Sequence, residues 1–184
     1  MRVAGARLPI CLGALAVDLT LWGGDTRTHS DTELPLWTVV VSAVALFTVL
    51  AVVRERHRLL FWAALAYSVV WSLALPQYQP FTAVFVALYD LARHLPTRAA
   101  APFLLATALP WGIHTANTAI LTGMDASEAA VTAALWGVMT VLVWMAGRFG
   151  YRAEENARLR EEAVANRAQL ARQEDRLALS RELH

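Results

Sequence analysis

The stretch Ala129–Gly147, AAVTAALWGVMTVLVWMAG, runs for nineteen residues without a single ionisable side chain. Pro35–Val53, PLWTVVVSAVALFTVLAVV, is a second stretch of the same length and character. A helix that crosses a lipid bilayer needs roughly 20 consecutive apolar residues, with a range of about 17–25. Both stretches therefore predict helices that cross a membrane.

The composition of the whole chain agrees with this prediction. Hydrophobic residues make up 57% of the 184 residues and charged residues only 17%, whereas soluble domains carry about 25% charged residues. The net charge of +1 gives no electrostatic footprint for nucleic acid, so no direct nucleic-acid partner is expected. The single cysteine, Cys11, lies in an apolar run and is expected to be a packing residue.

Apolar stretches recur along the first four-fifths of the chain. They predict an all-α membrane protein with six transmembrane helices, followed by a long cytoplasmic coiled-coil-like helix. The fourth predicted span is the weakest, because Asp90 interrupts a short apolar run, and whether it spans fully stays open. The predicted spans are 5–22, 35–53, 59–75, 80–95, 99–121 and 129–147.

The positions of the arginines predict the orientation. The loops 23–34, 76–79 and 122–128 hold one arginine and several acidic residues, whereas the other span ends carry most of the arginines. The positive-inside rule then predicts a multi-pass protein of the plasma membrane with both termini in the cytoplasm. The N-terminus also resembles a signal peptide, but the apolar stretch continues through Trp22, which favours an uncleaved first helix. The arginines that define the cytoplasmic side are Arg2, Arg7, Arg54, Arg56, Arg58, Arg93, Arg98, Arg148 and Arg152.

Ionisable residues inside predicted spans are candidates for function, because each costs about 2.5–3.5 kcal/mol on insertion scales. Asp18, His114 and Asn117 lie at similar predicted depth, and Pro110 is expected to kink the helix that carries the last two. We hypothesise an Asp18–His114 contact in a polar cluster that senses a signal or a proton. The alternative is structural: Asp18 reaches interfacial water and His114 bonds a backbone carbonyl. Asp90 is expected to pair with Arg93 on its own helix.

The segment 153–184 is rich in Ala, Arg, Glu, Gln and Leu and contains neither Pro nor Gly, which predicts a continuous helix. A seven-residue register predicts a marginal coiled-coil seam and hence a homodimer; a solvated single helix is the alternative. The predicted domains are a six-helix sensor domain over 1–152, a connector over 153–175 and the truncated start of a dimerisation helix over 176–184. The seam contains Leu159, Ala163, Asn166, Leu170 and Leu177.

The run Glu174–His184, EDRLALSRELH, resembles the first half of the phosphoacceptor box of sensor histidine kinases of the NarL/DesK type. The resemblance implies that the chain is the membrane sensor and signal-transmitting part of a bacterial two-component kinase, with His184 as phosphoacceptor. It further implies ATP and Mg²⁺ for the full-length kinase and a response regulator of the NarL/LuxR type as partner. The ATP-binding domain is not in these 184 residues, so no cofactor and no kinase activity are expected of this chain alone.

A different class of function is the alternative. The chain would then be a small six-helix transporter, or a membrane scaffold protein, with a cytoplasmic assembly helix. The predicted spans contain neither a clear inverted repeat nor several charged residues at the midplane, and transporters commonly have both. The signalling interpretation is therefore preferred.

Overall fold

The structure is a computed structural model that describes residues 4–53 and 55–182, with side chains over 7–53 and 55–173. The described part is all-helical apart from loops and one isolated antiparallel bridge between Arg27 and Glu33. Contacts between residues divide the described part into two compact units, and the boundary follows Arg148. The helices are α1 (Ala4–Trp22), α2 (Leu36–Val52), α3 (His57–Ala74), α4 (Phe81–His94), α5 (Thr97–Ala106), α6 (Ala108–Thr122) and α7 (Ala126–Glu182).

The prediction of six transmembrane helices is wrong. Within the described residues, one helix, α7, is long and apolar enough to cross a membrane. The multi-pass topology with both termini in the cytoplasm therefore lacks support. What remains of the prediction is an all-helical protein with one helix able to cross a membrane.

Helix length explains much of the difference between the predicted and the observed number of helices able to cross a membrane. The predicted spans 35–53 and 80–95 form helices of 17 and 14 residues, and the charged Asp90 lies in the second. The predicted span 99–121 is divided between α5 and α6, which have 10 and 15 residues. Pro110 accounts for the division, because it has no N–H to donate to the carbonyl of Ala106, where α5 ends. The kink expected at Pro110 is therefore confirmed as a break.

The first unit packs around α4. This helix contacts α1, α2, α3 and α5, and its buried side chains lie on nearly every side of it. The core also includes Cys11 of α1 and Phe61 of α3, so Cys11 is a packing residue as expected. Small residues of α4, Ala83, Ala87 and Ala92, are buried and allow its neighbours to approach closely.

Helix α7 begins with a well-formed N-terminal cap. The Asp125 carboxylate accepts hydrogen bonds from the backbone N–H groups of Ser127 and Glu128, at 2.7 and 2.9 Å. The Glu128 carboxylate accepts in return from the N–H of Asp125 at 3.2 Å. This reciprocal pattern is a capping box, which satisfies N–H groups that have no partner within the helix. The hydroxyl of Ser127, which donates to the Asp125 carboxylate at 2.6 Å, and the two backbone N–H groups hold the pKa of Asp125 below its ordinary value.

One short segment of α7 attaches it to α4. Gly147 lies so close to α4 that an added Cβ would be 2.6 Å from the carbonyl oxygen of Tyr89 and 2.8 Å from Cβ of Ala92. The next residue, Arg148, donates from Nη1 to the carbonyl oxygens of Ala92 at 3.0 Å and Leu95 at 2.6 Å. These carbonyls are at the C-terminal end of α4, where helical carbonyls lack intrahelical partners. We call this contact the α4–α7 joint.

Replacing Gly147 with alanine should destabilise the protein. The new methyl group would meet backbone and Cβ atoms of α4, and overpacking of this kind costs typically about 1–3 kcal/mol. Gly137→Ala is the matched control: it lies in the same helix, and its added Cβ meets nothing within 4 Å. The control should gain up to about 1 kcal/mol from helix propensity. Thermal unfolding of both variants in detergent micelles measures the difference, and equal or reversed shifts would contradict the joint.

Candidate functional site

The first polar cluster surrounds Asp18 at the N-terminal end of α4. The Asp18 carboxylate is 2% exposed and accepts hydrogen bonds from the hydroxyls of Tyr78 and Thr82, both at 2.7 Å. Tyr78 lies in the loop before α4, and its own hydroxyl oxygen is 3.1 Å from the hydroxyl of Tyr67 in α3. Because Tyr78 donates to Asp18, Tyr67 donates to Tyr78. We call Asp18, Tyr67, Tyr78 and Thr82 the aspartate cluster.

The electrostatics of the aspartate cluster favour a stable, closed network. Burial raises the pKa of Asp18, and the hydrogen bonds from Tyr78 and Thr82 oppose that shift. Burial and the neighbouring Asp18 carboxylate raise the pKa of Tyr78, so its hydroxyl stays a donor at neutral pH. Every oxygen of Asp18 thus has a partner, and the cluster fastens α1 to the start of α4. The expectation that Asp18 reaches water is wrong.

His114 lies in a separate, mainly aromatic environment. Its ring is edge-on to Phe81 and Trp136, with centroids 5.6 and 6.2 Å away, and its Nε2 is 3.2 Å from the Thr118 hydroxyl. Nδ1 is buried without a hydrogen-bond partner in the described part of the chain. Burial lowers the pKa of His114 to about 4, so the ring is neutral near pH 7. This environment does not favour proton sensing near neutral pH.

The structure separates the predicted sensing residues. Asp18 and His114 bind different partners, and no hydrogen bond joins them among the described residues. In the described part of the chain, two adjacent residues of α4 contact them separately. Phe81 packs on His114, and Thr82 donates a hydrogen bond to Asp18. Asn117 donates to the carbonyl oxygen of Ser72 at 2.7 Å and ties α6 to α3.

The second polar cluster lies at the C-terminal end of α4. Oδ2 of Asp90 is 3.0 Å from Nη2 of Arg7 in α1 and 2.5 Å from Nδ1 of His57, the first residue of α3. Oδ1 is 3.5 Å from Nδ1 of His94, one turn further along α4. The rings of His57 and His94 stack, with centroids 4.2 Å apart and an interplanar angle of 9°. We call Arg7, His57, Asp90 and His94 the histidine–aspartate cluster.

This second cluster was missed by the sequence analysis. The predicted Asp90–Arg93 pair is wrong, since the partners of Asp90 are Arg7, His57 and His94. The spacing of Asp90 and His94 at i,i+4 is visible in the sequence and could have indicated a pair. His57 precedes Asp90 by 33 residues, and only helix packing brings the two together.

The residues of the predicted connector, 153–175, lie within the second unit. His184 lies outside the described residues, and so does the side chain of Leu177. The other predicted seam residues, Leu159, Ala163, Asn166 and Leu170, are all exposed in the single chain. A charged pair, Arg158 with Glu162 at 2.9 Å, supports the helix at i,i+4 spacing.

Comparison with known proteins identifies no relative. No protein-family model, no curated protein and no solved structure matches the chain. The described part of the chain is all-helical, with one helix able to cross a membrane, a buried polar cluster at the N-terminal end of α4 and a partly buried one at its C-terminal end.

Removing the hydroxyl of Tyr78 should destabilise the first unit more than removing that of Tyr67. Tyr78→Phe leaves one buried oxygen of Asp18 without a donor, which costs about 1–3 kcal/mol. Tyr67→Phe is the control, because it removes only the outer hydrogen bond, worth about 0.5–1.5 kcal/mol. Chemical unfolding followed by circular dichroism gives both values. A Tyr78→Phe variant as stable as the unmodified protein would show that the cluster does not hold α1.

Proposed function

We propose that the chain is the membrane sensor and signal-transmitting portion of a two-component sensor histidine kinase. The observation that carries the proposal is α7, a single helix that begins with the apolar stretch and continues to Glu182, two residues before His184. An unbroken helix transmits a displacement or rotation along its length, because each turn is hydrogen-bonded to the next. The phosphoacceptor-like box is thus joined through α7 to the segment able to cross a membrane.

The first unit holds α7 at the end of its apolar stretch, just before the connector. The α4–α7 joint fixes α7 to the central helix of the unit through Gly147 and Arg148. A change in the position of the α4 end would therefore be felt by α7 at the residues that immediately precede the connector. Two discrete arrangements of such a joint would provide the bistable element that a switch requires.

Homodimerisation through the connector is part of the proposal. All described residues from 152 to 173 are exposed in the single chain, including Leu159 at 53% and Leu170 at 59%. Pairing with a second copy would bury these leucines along the predicted seam. Asn166 in the same seam would lower the stability of the pair and restrict its register, which suits a connector that changes state.

Lipid is the proposed surrounding of the apolar stretch of α7. Large apolar side chains there stay exposed in the protein, and burial in a bilayer removes them from water at about 25 cal/mol per Å². We place the connector on the cytoplasmic side of a bacterial plasma membrane, where ATP is available and where Arg148 and Arg152 satisfy the positive-inside rule. The exposed residues include Val131, Leu135, Val138, Leu142 and Met145.

The proposed chemistry is phosphoryl transfer to His184. A ring nitrogen of His184 would form a bond to the γ-phosphorus of ATP as the bond to the ADP oxygen breaks, and ADP leaves. The phosphoryl group would then pass to an aspartate of a response regulator of the NarL/LuxR type. Catalysis of both steps belongs to partner domains, because such transfers depend on positioning and charge stabilisation supplied around the phosphate.

A chimaera tests the proposal. In it, residues 1–184 are joined in frame to the part of a DesK-type kinase that follows that kinase's own phosphoacceptor histidine. Membrane vesicles that hold this chimaera should incorporate phosphate from radiolabelled ATP with Mg²⁺ in an acid-labile form, as phosphohistidine requires. His184→Gln should abolish the label, because no other imidazole is presented at that position. His29→Gln, in an exposed loop, is the control and should label normally.

Two results would contradict the proposal. One is undiminished labelling in the His184→Gln chimaera. The other is an unlabelled chimaera in vesicles where the intact donor kinase, prepared in parallel, is labelled.

A further inference from the structure

The histidine–aspartate cluster brings two imidazoles and one carboxylate into a single small volume. One ligand atom from each of His57, Asp90 and His94 lies within 4.8 Å of the other two. The three residues come from the start of α3 and the last two turns of α4, so the packing of two helices builds the arrangement. Nitrogen and oxygen donors grouped in this way suit a metal ion as well as an ion pair.

We propose that His57, Asp90 and His94 bind one divalent transition-metal ion of the Zn²⁺ kind. Zn²⁺ binds imidazole nitrogens and carboxylate oxygens at about 2.0–2.2 Å, which places neighbouring ligand atoms of a tetrahedral site about 3.3 Å apart. Oδ2 of Asp90 is 2.5 Å from Nδ1 of His57 and its Oδ1 is 3.5 Å from Nδ1 of His94, so each ring meets its own oxygen of the carboxylate. One ligand atom of each residue lies within 4.8 Å of the other two, and rotation of the side chains would bring them to the spacing that the ion requires.

The donor types select the class of metal. Imidazole suits Zn²⁺, Cu²⁺, Ni²⁺ and Co²⁺, whereas Ca²⁺ takes six to eight oxygens and Mg²⁺ near-octahedral oxygen coordination. The cluster offers two imidazoles and a single carboxylate, so Ca²⁺ and Mg²⁺ are poorly served. Three protein ligands leave a fourth position for water or for a further ligand, as in open zinc sites.

Neighbouring groups orient the three ligands. Arg7 binds Oδ2 of Asp90 at 3.0 Å, which leaves Oδ1 facing His94. The ring of His94 is also held by the carbonyl oxygen of Asp90, 2.8 Å from Nδ1; with Nδ1–H donating there, Nε2 is the nitrogen that would bind the ion. Outer partners of this kind fix the orientation of metal ligands and contribute to affinity. The stacked rings of His57 and His94 present their nitrogens to the same carboxylate.

The site is accessible, and it is next to the α4–α7 joint. The His94 side chain is 41% exposed, so an ion can enter from its side of the cluster. Ala92 and Leu95, whose carbonyls bind Arg148, are on the same final turns of α4 as Asp90 and His94. An ion would fasten the start of α3 to the end of α4 at the place where α7 is attached. Metal binding itself does not depend on the proposed kinase function.

Metal binding can be measured on the full chain, purified in detergent without a histidine tag and stripped with a chelator. Titration calorimetry with Zn²⁺ should show one ion per chain, and Co²⁺ should give the visible absorption of a four-coordinate complex. His94→Gln should weaken Zn²⁺ binding on the order of 100-fold, since loss of a ligand costs at least as much as loss of an outer partner. This variant should fold normally because His94 is the most exposed of the three.

Controls separate the site from adventitious surface binding. His29→Gln removes an exposed histidine of a distant loop and should leave the affinity unchanged. His57→Gln should weaken binding as His94→Gln does, and thermal unfolding with and without Zn²⁺ should show stabilisation of the unmodified protein and of His29→Gln but not of His57→Gln. The proposal is overturned by fewer than one ion per chain, or by affinities for Zn²⁺ that are the same in the His94→Gln and His29→Gln variants.

Discussion

The carboxylate of Asp90 is the constraint on which the rest of the first unit depends. A charge removed from water is costly unless it is paired and hydrogen-bonded, and Asp90 is largely buried within the central helix α4. Its partners come from α1, through Arg7, and from α3, through His57, so satisfying one charge fixes three helices relative to one another. The apolar core around Phe61 and Leu88 stabilises the same packing, but apolar contacts are non-directional and do not set its register. The buried charge does, because only one arrangement pairs it.

At the opposite end of α4, a second buried carboxylate is likewise held by hydrogen bonds. Asp18 is buried beside Tyr78 and Thr82, and its hydrogen bonds hold α1 at a second point. With both ends fixed, α4 is a rigid support for α7, which it contacts where Gly147 permits close approach and Arg148 satisfies carbonyls at the helix end. The proposed metal site lies at this same end. The proposed sensor function places the input at this end of α4, directly beside its attachment to α7.

The positions of the helices were largely predictable, and their relation to a membrane was not. The predicted segments 35–53, 59–75 and 80–95 correspond closely to α2, α3 and α4, because apolar runs between charged or proline-containing loops define helices whatever surrounds them. Crossing a membrane requires length as well, and the predicted span 99–121 is divided at Thr107, near Pro110. Asp18 and Asn117 were identified from the sequence as polar residues within apolar segments, but their burial and their partners depend on packing between distant segments. His57 has no local signal at all, since nothing near it in the chain indicates Asp90. The function of His184 stays a prediction.

A double-mutant cycle on Arg7 and Asp90 tests most directly whether a buried charge fixes the helices. The unfolding free energies of the unmodified protein, Arg7→Gln, Asp90→Asn and the double variant give the coupling energy of the pair. The side chains are 17% and 12% exposed, and we predict a coupling of about 1–3 kcal/mol. The solvent-exposed pair Arg27 and Glu33, 3.8 Å apart, provides the reference cycle and should couple by less than about 1 kcal/mol. A coupling for Arg7 and Asp90 no larger than that of the exposed pair would contradict the account.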